Sequence, residues 1–152
     1  MAHRSQTFLL VLSLLTIVGC HRGPAHCRVC DRDECKGLVF RIKMPAGQTV
    51  ETCCPRCGLH FLASNSTAQG AEATDFATGQ WLDASKASYV SGSDVKACAM
   101  PETRRDAQGC CAFKGYDRCL PSLIAFANTT NAQAFARQHG GTIQTWPELL
   151  RR

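Results

Sequence analysis

Short apolar runs alternate with turn-forming residues along the first half of the chain after residue 37. The run at 38–42 predicts a strand, the Pro-Ala-Gly sequence at 45–47 predicts a turn, and 49–52 predicts the returning strand. The apolar residues within 58–63 predict a short helix, and the small polar residues at 64–71 predict a loop. With the extended segment that follows this loop, the first half has the order strand, strand, helix and strand.

A related order is predicted in the second half, around a long insertion. Residues 73–82 predict a hairpin or extended pair around Thr78-Gly79, and 87–90 predict a short strand. The segment 96–119 has four cysteines and few apolar residues, which predicts a long loop held by something other than a core. The continuous apolar run at 122–127 predicts a buried strand.

The last part of the chain predicts a capped helix and a final strand. Asn128 or Thr129 can cap a helix over 131–138, Gly140-Gly141 ends that helix, and the strand at 142–146 follows. The fold class is therefore α+β, with two small ββαβ-type units, antiparallel sheets with one helix each, and a cysteine-rich N-terminal knuckle. We expect the large aromatic side chains to lie in the core: Trp81, Phe126, Phe135 and Trp146.

The first twenty residues predict a targeting signal. Arg4 precedes an apolar run at 8–18, which is shorter than the roughly 20 residues that span a bilayer. The run ends in Ile-Val-Gly-Cys, which resembles the bacterial lipobox, whose cysteine is acylated after the leader is cut. An anchor that stays attached is the alternative. The predicted boundaries are these: signal peptide 1–19, tether 20–26 with lipidated Cys20, and a single domain 27–152, divided into a cysteine-rich part 27–72 and a C-terminal half 73–152.

Charge and composition exclude several classes of function. The formal net charge is +5, and the basic residues are scattered along the chain, whereas nucleic-acid binders concentrate them in patches. No Ser/His/Asp set, phosphate-binding glycine loop or carboxylate pair with recognisable spacing occurs. We therefore expect neither an enzyme nor a nucleic-acid partner.

The 11 cysteines are the most informative feature of the composition. Cys27-x2-Cys30 and Cys54-x2-Cys57 are two Cys-x2-Cys pairs, a spacing typical of a tetrathiolate metal site. His60 lies next to the second pair and can replace a thiolate. An exported protein also permits structural disulfides, so that alternative stays open, as does a thiol oxidoreductase using Cys54 and Cys57.

A second set of sulfur-containing residues is less regularly spaced. Adjacent cysteines normally send their sulfurs to different partners, and a disulfide among Cys98, Cys110 and Cys111 would pin the long loop. Thiolate and thioether ligands together select Cu(I), whereas thiolates alone also accept Zn(II). The secondary ligand candidates are Cys35, Cys119, His60 and Met100.

Residues 74–149 resemble the NosL family of nitrous oxide reductase accessory lipoproteins. The matching segments are Asp75-Phe76-x3-Gln80-Trp81-Leu82-Asp83-Ala84, Ala87-Ser88-Tyr89-Val90-x-Gly92-Ser93, Leu123-Ile124-Ala125-Phe126-Ala127, Ala132-x2-Ala134-Phe135-Ala136 and His139-Gly140-Gly141. The resemblance implies an α+β fold of two small units. It also implies delivery of Cu(I) to a periplasmic copper enzyme such as nitrous oxide reductase.

The chain departs from that family at its sulfur ligands. Cys27-Arg28-Val29-Cys30 stands where the family has a Cys-Gly-Met-like motif, and Cys119-Leu120-Pro121 stands where it has a Met-Gly step. Thiolates thus replace thioethers, and such a site binds metal more tightly and accepts zinc as well as Cu(I).

These observations predict a lipid-anchored, extracytoplasmic bacterial lipoprotein that binds Cu(I) or Zn(II). The expected role is a Cu(I) carrier or assembly factor, whose partners are the membrane, through the lipid anchor, and a copper enzyme apoprotein or copper-delivery partner. The principal ligands are expected to be Cys27, Cys30, Cys54 and Cys57. The alternative is a zinc- or disulfide-stapled structural lipoprotein that binds a protein partner.

Overall fold

Two antiparallel sheets and three helices make up the computed structural model, which describes residues 26–34, 37–95 and 117–151. The predicted signal peptide, Cys20 and most of the tether lie outside the described residues, as does most of the predicted long loop. The strands are β1 (Phe40–Lys43), β2 (Thr49–Thr52), β3 (Gly70–Thr74), β4 (Trp81–Asp83), β5 (Ser88–Ser91), β6 (Leu123–Phe126) and β7 (Thr142–Thr145). The helices are α1 (Pro55–Ala63), α2 (Thr129–His139) and α3 (Trp146–Leu150).

The first unit is a four-stranded sheet in the order β2-β1-β3-β4. A short 3-10 turn at Pro45–Gly47 joins β1 to β2, and Phe40 pairs with Thr52 on one side and with Ala73 on the other. Helix α1 connects the edge strand β2 to β3. The predicted division at 72/73 falls inside β3, and the first sheet continues to Asp83, because β3 and β4 complete the pairing begun by β1.

The second unit is a three-stranded sheet in the order β6-β5-β7, with α2 between β6 and β7. The strand that comes first in sequence, β5, lies between the next two strands, β6 and β7. In the first unit β1 lies between β2 and β3 in the same way. Asn128 caps α2 by accepting a hydrogen bond from the Asn131 amide, and Gly140 ends the helix with a positive φ. The predicted α+β class and the two ββαβ units are confirmed.

The two units share a core. Phe40 and Ile42 of the first sheet join Tyr89 and Leu123 of the second in one buried cluster, and Trp146 stacks on Phe40 with ring centroids 6.0 Å apart. The prediction that Trp81 is a core residue is wrong. Its side chain is 42% exposed, because β4 is an edge strand.

One helix begins earlier than predicted, and the last helix was not predicted. Helix α1 begins at Pro55 rather than near Gly58, since proline at the first helical position needs no hydrogen-bond partner for an amide. Pro147 lies in the first turn of α3, whose Thr145 and Glu148 form a capping box. No helix in the described part of the chain is long and apolar enough to cross a membrane.

Candidate metal centre

Six reduced cysteines from three segments of the chain converge on one place. Five of them are buried, and Cys30 is half-buried. The segments are the turn at 27–30, the junction between β2 and α1, and the turn that precedes β6. The six are Cys27, Cys30, Cys53, Cys54, Cys57 and Cys119.

The first segment is a tight knuckle. The Cys27 amide donates to the Arg32 carbonyl at 2.7 Å, and the Asp31 amide donates to the Cys27 carbonyl at 2.9 Å. The Val29 amide lies 3.5 Å from the Cys27 sulfur. These bonds fold the chain back on itself, so that the sulfurs of Cys27 and Cys30 both reach the cluster.

The second segment places three sulfurs at the start of α1. Cys54 is the N-cap in an extended conformation, Pro55 follows it, and Cys57 is the third helical residue. The helix starts close to β1, because Gly58 has no side chain: a Cβ there would lie 2.2 Å from the Phe40 ring. This close packing fixes where the helix carries Cys57, and the N-terminal end of a helix favours thiolates over thiols.

The third segment is fastened to the first by an ion pair. The Cys119 amide donates to Asp117 Oδ1 at 2.8 Å, and Arg32 Nη1 lies 2.9 Å from both Asp117 carboxylate oxygens. The same Nη1 lies 3.6 Å from the Cys119 sulfur. Arg118 adds a 2.7 Å hydrogen bond to the Val29 carbonyl. The turn around Cys119 is therefore held against the knuckle by contacts that do not depend on sulfur.

The sulfur spacing suits tetrahedral metal coordination. The sulfur–sulfur contacts that are short enough for hydrogen bonding run from 3.4 Å between Cys30 and Cys53 to 3.9 Å between Cys30 and Cys119. A disulfide would need about 2.05 Å, whereas a tetrahedron with Zn–S bonds of about 2.3 Å has edges of about 3.8 Å. Two groups of four have ligand atoms that all lie within 4.8 Å of one another: Cys27, Cys30, Cys53, Cys57 and Cys53, Cys54, Cys57, Cys119.

Close contacts among the six thiols lower the pKa values of some of them and raise those of others. Hydrogen bonds from neighbouring thiols lower the pKa values of Cys27 and Cys54 far below that of an ordinary thiol, and the hydrogen bond from Cys53 contributes most to lowering that of Cys119 to about 7. Burial raises the pKa of Cys30 to about 11. Hydrogen bonding to the thiolate neighbours, Cys119 above all, raises the pKa of Cys53 strongly. Because adjacent thiolates repel one another, part of the cluster keeps its protons until a cation binds.

The predicted principal ligands all lie in the cluster, but they do not form one group of four. Cys53 completes the group of Cys27, Cys30 and Cys57, whereas Cys54 belongs to the group that contains Cys119. The sequence analysis did not place Cys53 among the ligands. The start of α1 at Pro55 is the signal that was missed, since it puts consecutive cysteines at the end of a strand and at a helix N-cap.

The remaining candidates fall elsewhere. His60 belongs to neither group of four and lines a shallow surface depression of about 390 Å³ with Arg28, Phe61 and Arg118. Cys35, Met100 and the disulfide candidates Cys98, Cys110 and Cys111 lie outside the described residues.

No protein-family model and no curated protein matches the chain. Among solved structures, the chain is similar to the crystal structure of the copper chaperone NosL from Shewanella denitrificans. The TM-score is 0.58 at 16% sequence identity, and the match covers 82% of this chain and 88% of that chain. The likeness confirms the predicted NosL-like fold.

Proposed function

We propose that this protein binds Cu(I) through its cysteine cluster and passes it to a partner protein. The observation that carries the proposal is the convergence of six unbridged thiols, from three segments, in a NosL-like fold. Soft thiolates prefer Cu(I) among the available first-row ions. The protein then acts as a carrier or assembly factor and catalyses no covalent reaction.

Transfer of the ion requires a ligand that an incoming sulfur can displace. Cys30 is half-buried, whereas the other five cysteines are buried. An incoming thiolate can therefore approach the ion from the side of Cys30, so that one Cu–S bond forms as another breaks and the copper stays monovalent. The depression lined by Arg28 and Arg118 lies beside the knuckle, and its basic residues favour an acidic partner surface.

The proposed place of action is outside the cytoplasm. The lipobox-like ending at Cys20 supports export and a lipid anchor on a membrane face. A copper enzyme apoprotein in the same compartment, such as nitrous oxide reductase, is the proposed recipient. The likeness of fold to a copper chaperone supports this partner class.

A zinc-stapled structural role is the second candidate, and the burial of five of the six cysteines favours it. Structural zinc sites are closed and four-coordinate, whereas a transfer site needs an open ligand position. The two candidates therefore differ in how readily the bound ion exchanges.

An anaerobic competition and transfer assay separates these candidates. The Cu(I)-loaded protein is mixed with a chromogenic Cu(I) chelator and, separately, with a second thiol-containing acceptor, and the rate of copper release is measured. We expect the acceptor to take copper faster than spontaneous dissociation allows, and Cys30→Ser to slow that transfer. Lys86→Ala, a change at an exposed residue outside the cluster, is the control. Copper that leaves at one acceptor-independent rate would contradict the carrier role and favour the structural one.

A further inference from the structure

The two groups of four cysteines have two members in common. Cys53 and Cys57 belong to both groups, Cys27 and Cys30 complete the first, and Cys54 and Cys119 complete the second. Six thiols thus supply two groups of four that share one pair of sulfurs. The sulfurs of Cys30 and Cys119, one from each group, lie 3.9 Å apart, so they must separate to about 5 Å when two ions share one edge of two tetrahedra. That edge, between the sulfurs of Cys53 and Cys57, is 3.7 Å long, close to the edge of about 3.8 Å expected for tetrahedral zinc–thiolate coordination.

We propose that the cluster is a binuclear centre, in which two thiophilic metal ions share the sulfurs of Cys53 and Cys57. This inference deepens the proposed function and rests on it for the claim that the cluster binds metal. It adds the number of ions and assigns the bridging and terminal ligands. The ligand class is a pair of d10 ions, either Cu(I) or Zn(II).

The positions of the two shared sulfurs fit a bridging role. Cys53 lies 3.4 Å from Cys30, 3.8 Å from Cys54 and 3.6 Å from Cys119, so its sulfur is central to both groups. Cys57 lies 3.7 Å from Cys119. Both residues are fully buried, as expected for sulfurs enclosed by ligands on both sides.

The terminal sulfurs lie next to groups that stabilise negative charge. The Cys27 sulfur accepts a hydrogen bond from the Val29 amide at 3.5 Å, and the Cys119 sulfur lies 3.6 Å from Nη1 of the Arg32 guanidinium. The Arg32 backbone amide donates to Cys30, and Cys54 is at the N-terminus of α1. A terminal thiolate keeps more negative charge than a thiolate that bonds to two cations. The hydrogen-bond donors and the guanidinium therefore stabilise the sulfurs that carry the most charge.

Charge also favours two ions over one. A single divalent ion takes four of the six sulfurs as ligands and leaves two sulfurs of the cluster without a metal. A second divalent ion uses all six sulfurs and displaces the protons that the remaining thiols hold. Since uncompensated buried charge is costly, binding of the second ion is favoured by the cluster that the first one occupies.

Counting bound ions tests the proposal. The reduced, metal-free full chain is titrated anaerobically with Zn²⁺, and the complexes are weighed by native mass spectrometry. We expect two Zn²⁺ per chain, and we expect Cys27→Ser and Cys54→Ser each to leave one. Cys98→Ser is the matched control and should retain two. A second ion lost in Cys98→Ser would place a ligand outside the six and overturn the assignment.

Because a serine variant can lose metal by misfolding, the bridge is also tested in the unmodified protein. Loading with ¹¹³Cd²⁺ should give two cadmium resonances coupled through shared sulfur, and X-ray absorption of the Zn²⁺ form should show a metal–metal distance of roughly 3 Å. Two uncoupled resonances, or one ion per chain, would overturn the binuclear centre.

These outcomes are distinguishable from failure of the proposed function. One bound ion that still transfers as Cu(I) would overturn the inference and keep the carrier. Two bound ions that never transfer would keep the binuclear centre and overturn the carrier role. A chain that binds no metal would contradict both.

Discussion

The junction between the second strand and the helix has the same backbone plan in both ββαβ units but different side chains. Cys54 and Asn128 are the helix N-caps, with φ and ψ of −160° and 163° in the first unit and −142° and 153° in the second. Asn128 uses its side chain to accept the Asn131 amide. At the corresponding positions, Cys54 and Cys57 carry sulfurs of the cysteine cluster.

The difference shows how one small fold can serve stability in one copy and chemistry in the other. An N-cap asparagine stabilises a helix by satisfying a backbone donor, whereas the thiol of Cys54 makes no cap hydrogen bond. The first unit thus lacks a side-chain helix cap at the place where it carries candidate metal ligands. We expect metal binding to supply the stability that the cap supplies in the second unit.

Copying the second junction onto the first should have the largest effect. The double variant Cys54→Asn/Cys57→Asn reproduces the Asn-x-x-Asn pattern of 128–131, so α1 gains a cap and the cluster loses two sulfurs. We expect metal affinity to fall by more than about 100-fold, since loss of even a supporting partner costs about 10–100-fold. Competition with a chelator measures the affinity, and circular dichroism should show an intact fold. Unchanged affinity would contradict the role of this junction.

Acidification should weaken metal binding by the cysteine cluster. Cys30, Cys53 and Cys57 have raised pKa values, that of Cys30 being about 11, so they are protonated in the metal-free protein near neutral pH. A metal ion must displace those protons, so affinity falls as the pH falls, by about tenfold per pH unit for each displaced proton. Affinity measured from pH 8 to pH 6 checks this. A pH-independent affinity would show that the thiols are not the ligands.

The fourth helical position offers a matched pair of backbone changes. Gly58 in α1 corresponds to the buried Ala132 in α2. Gly58→Ala should destabilise the protein by about 1–3 kcal/mol, because its Cβ meets the Phe40 ring. It should also weaken metal binding, since Cys57 precedes it. Ala132→Gly should cost about 1 kcal/mol and leave metal affinity unchanged. Denaturant unfolding and chelator competition measure the two effects, and equal losses of affinity would contradict the division of roles.

Removing the cap of the second unit should have the smallest effect. Asn128→Ala deletes the acceptor for the Asn131 amide, and we expect a loss of about 1 kcal/mol in the free energy of unfolding. Metal affinity should not change, and Asn128→Ser should restore most of the stability. A metal-binding defect in Asn128→Ala would show that the two junctions are coupled.

Local patterns predict most of the sheets and α2, and they find the right region for the site. The runs at 38–42 and 122–127 carry their own strand signal, and Asn128 and Gly140 mark the ends of α2. The grouping of the sulfurs depends on distant contacts. Arg32 meets Asp117 across 85 residues of sequence, and nothing local to Cys119 indicates that it shares a group with Cys53.

The exposed position of Trp81 has the same kind of cause. Trp81 is adjacent to apolar Leu82 in the sequence, but β4 is an edge strand. The Arg41 guanidinium, on the strand two positions away in the sheet, covers the ring at 4.0 Å. An aromatic residue in an apolar run is therefore a weak predictor of burial until its place in the sheet is known.

The central claim is that the six cysteines are reduced thiols that bind metal together. Differential alkylation of the anaerobically purified full chain, followed by mass spectrometry of its peptides, tests this most directly. We predict that all six resist the alkylating reagent while metal is bound and react once a chelator has removed it. Disulfide-linked peptides joining any of the six in the purified protein, with no bound metal, would contradict the account.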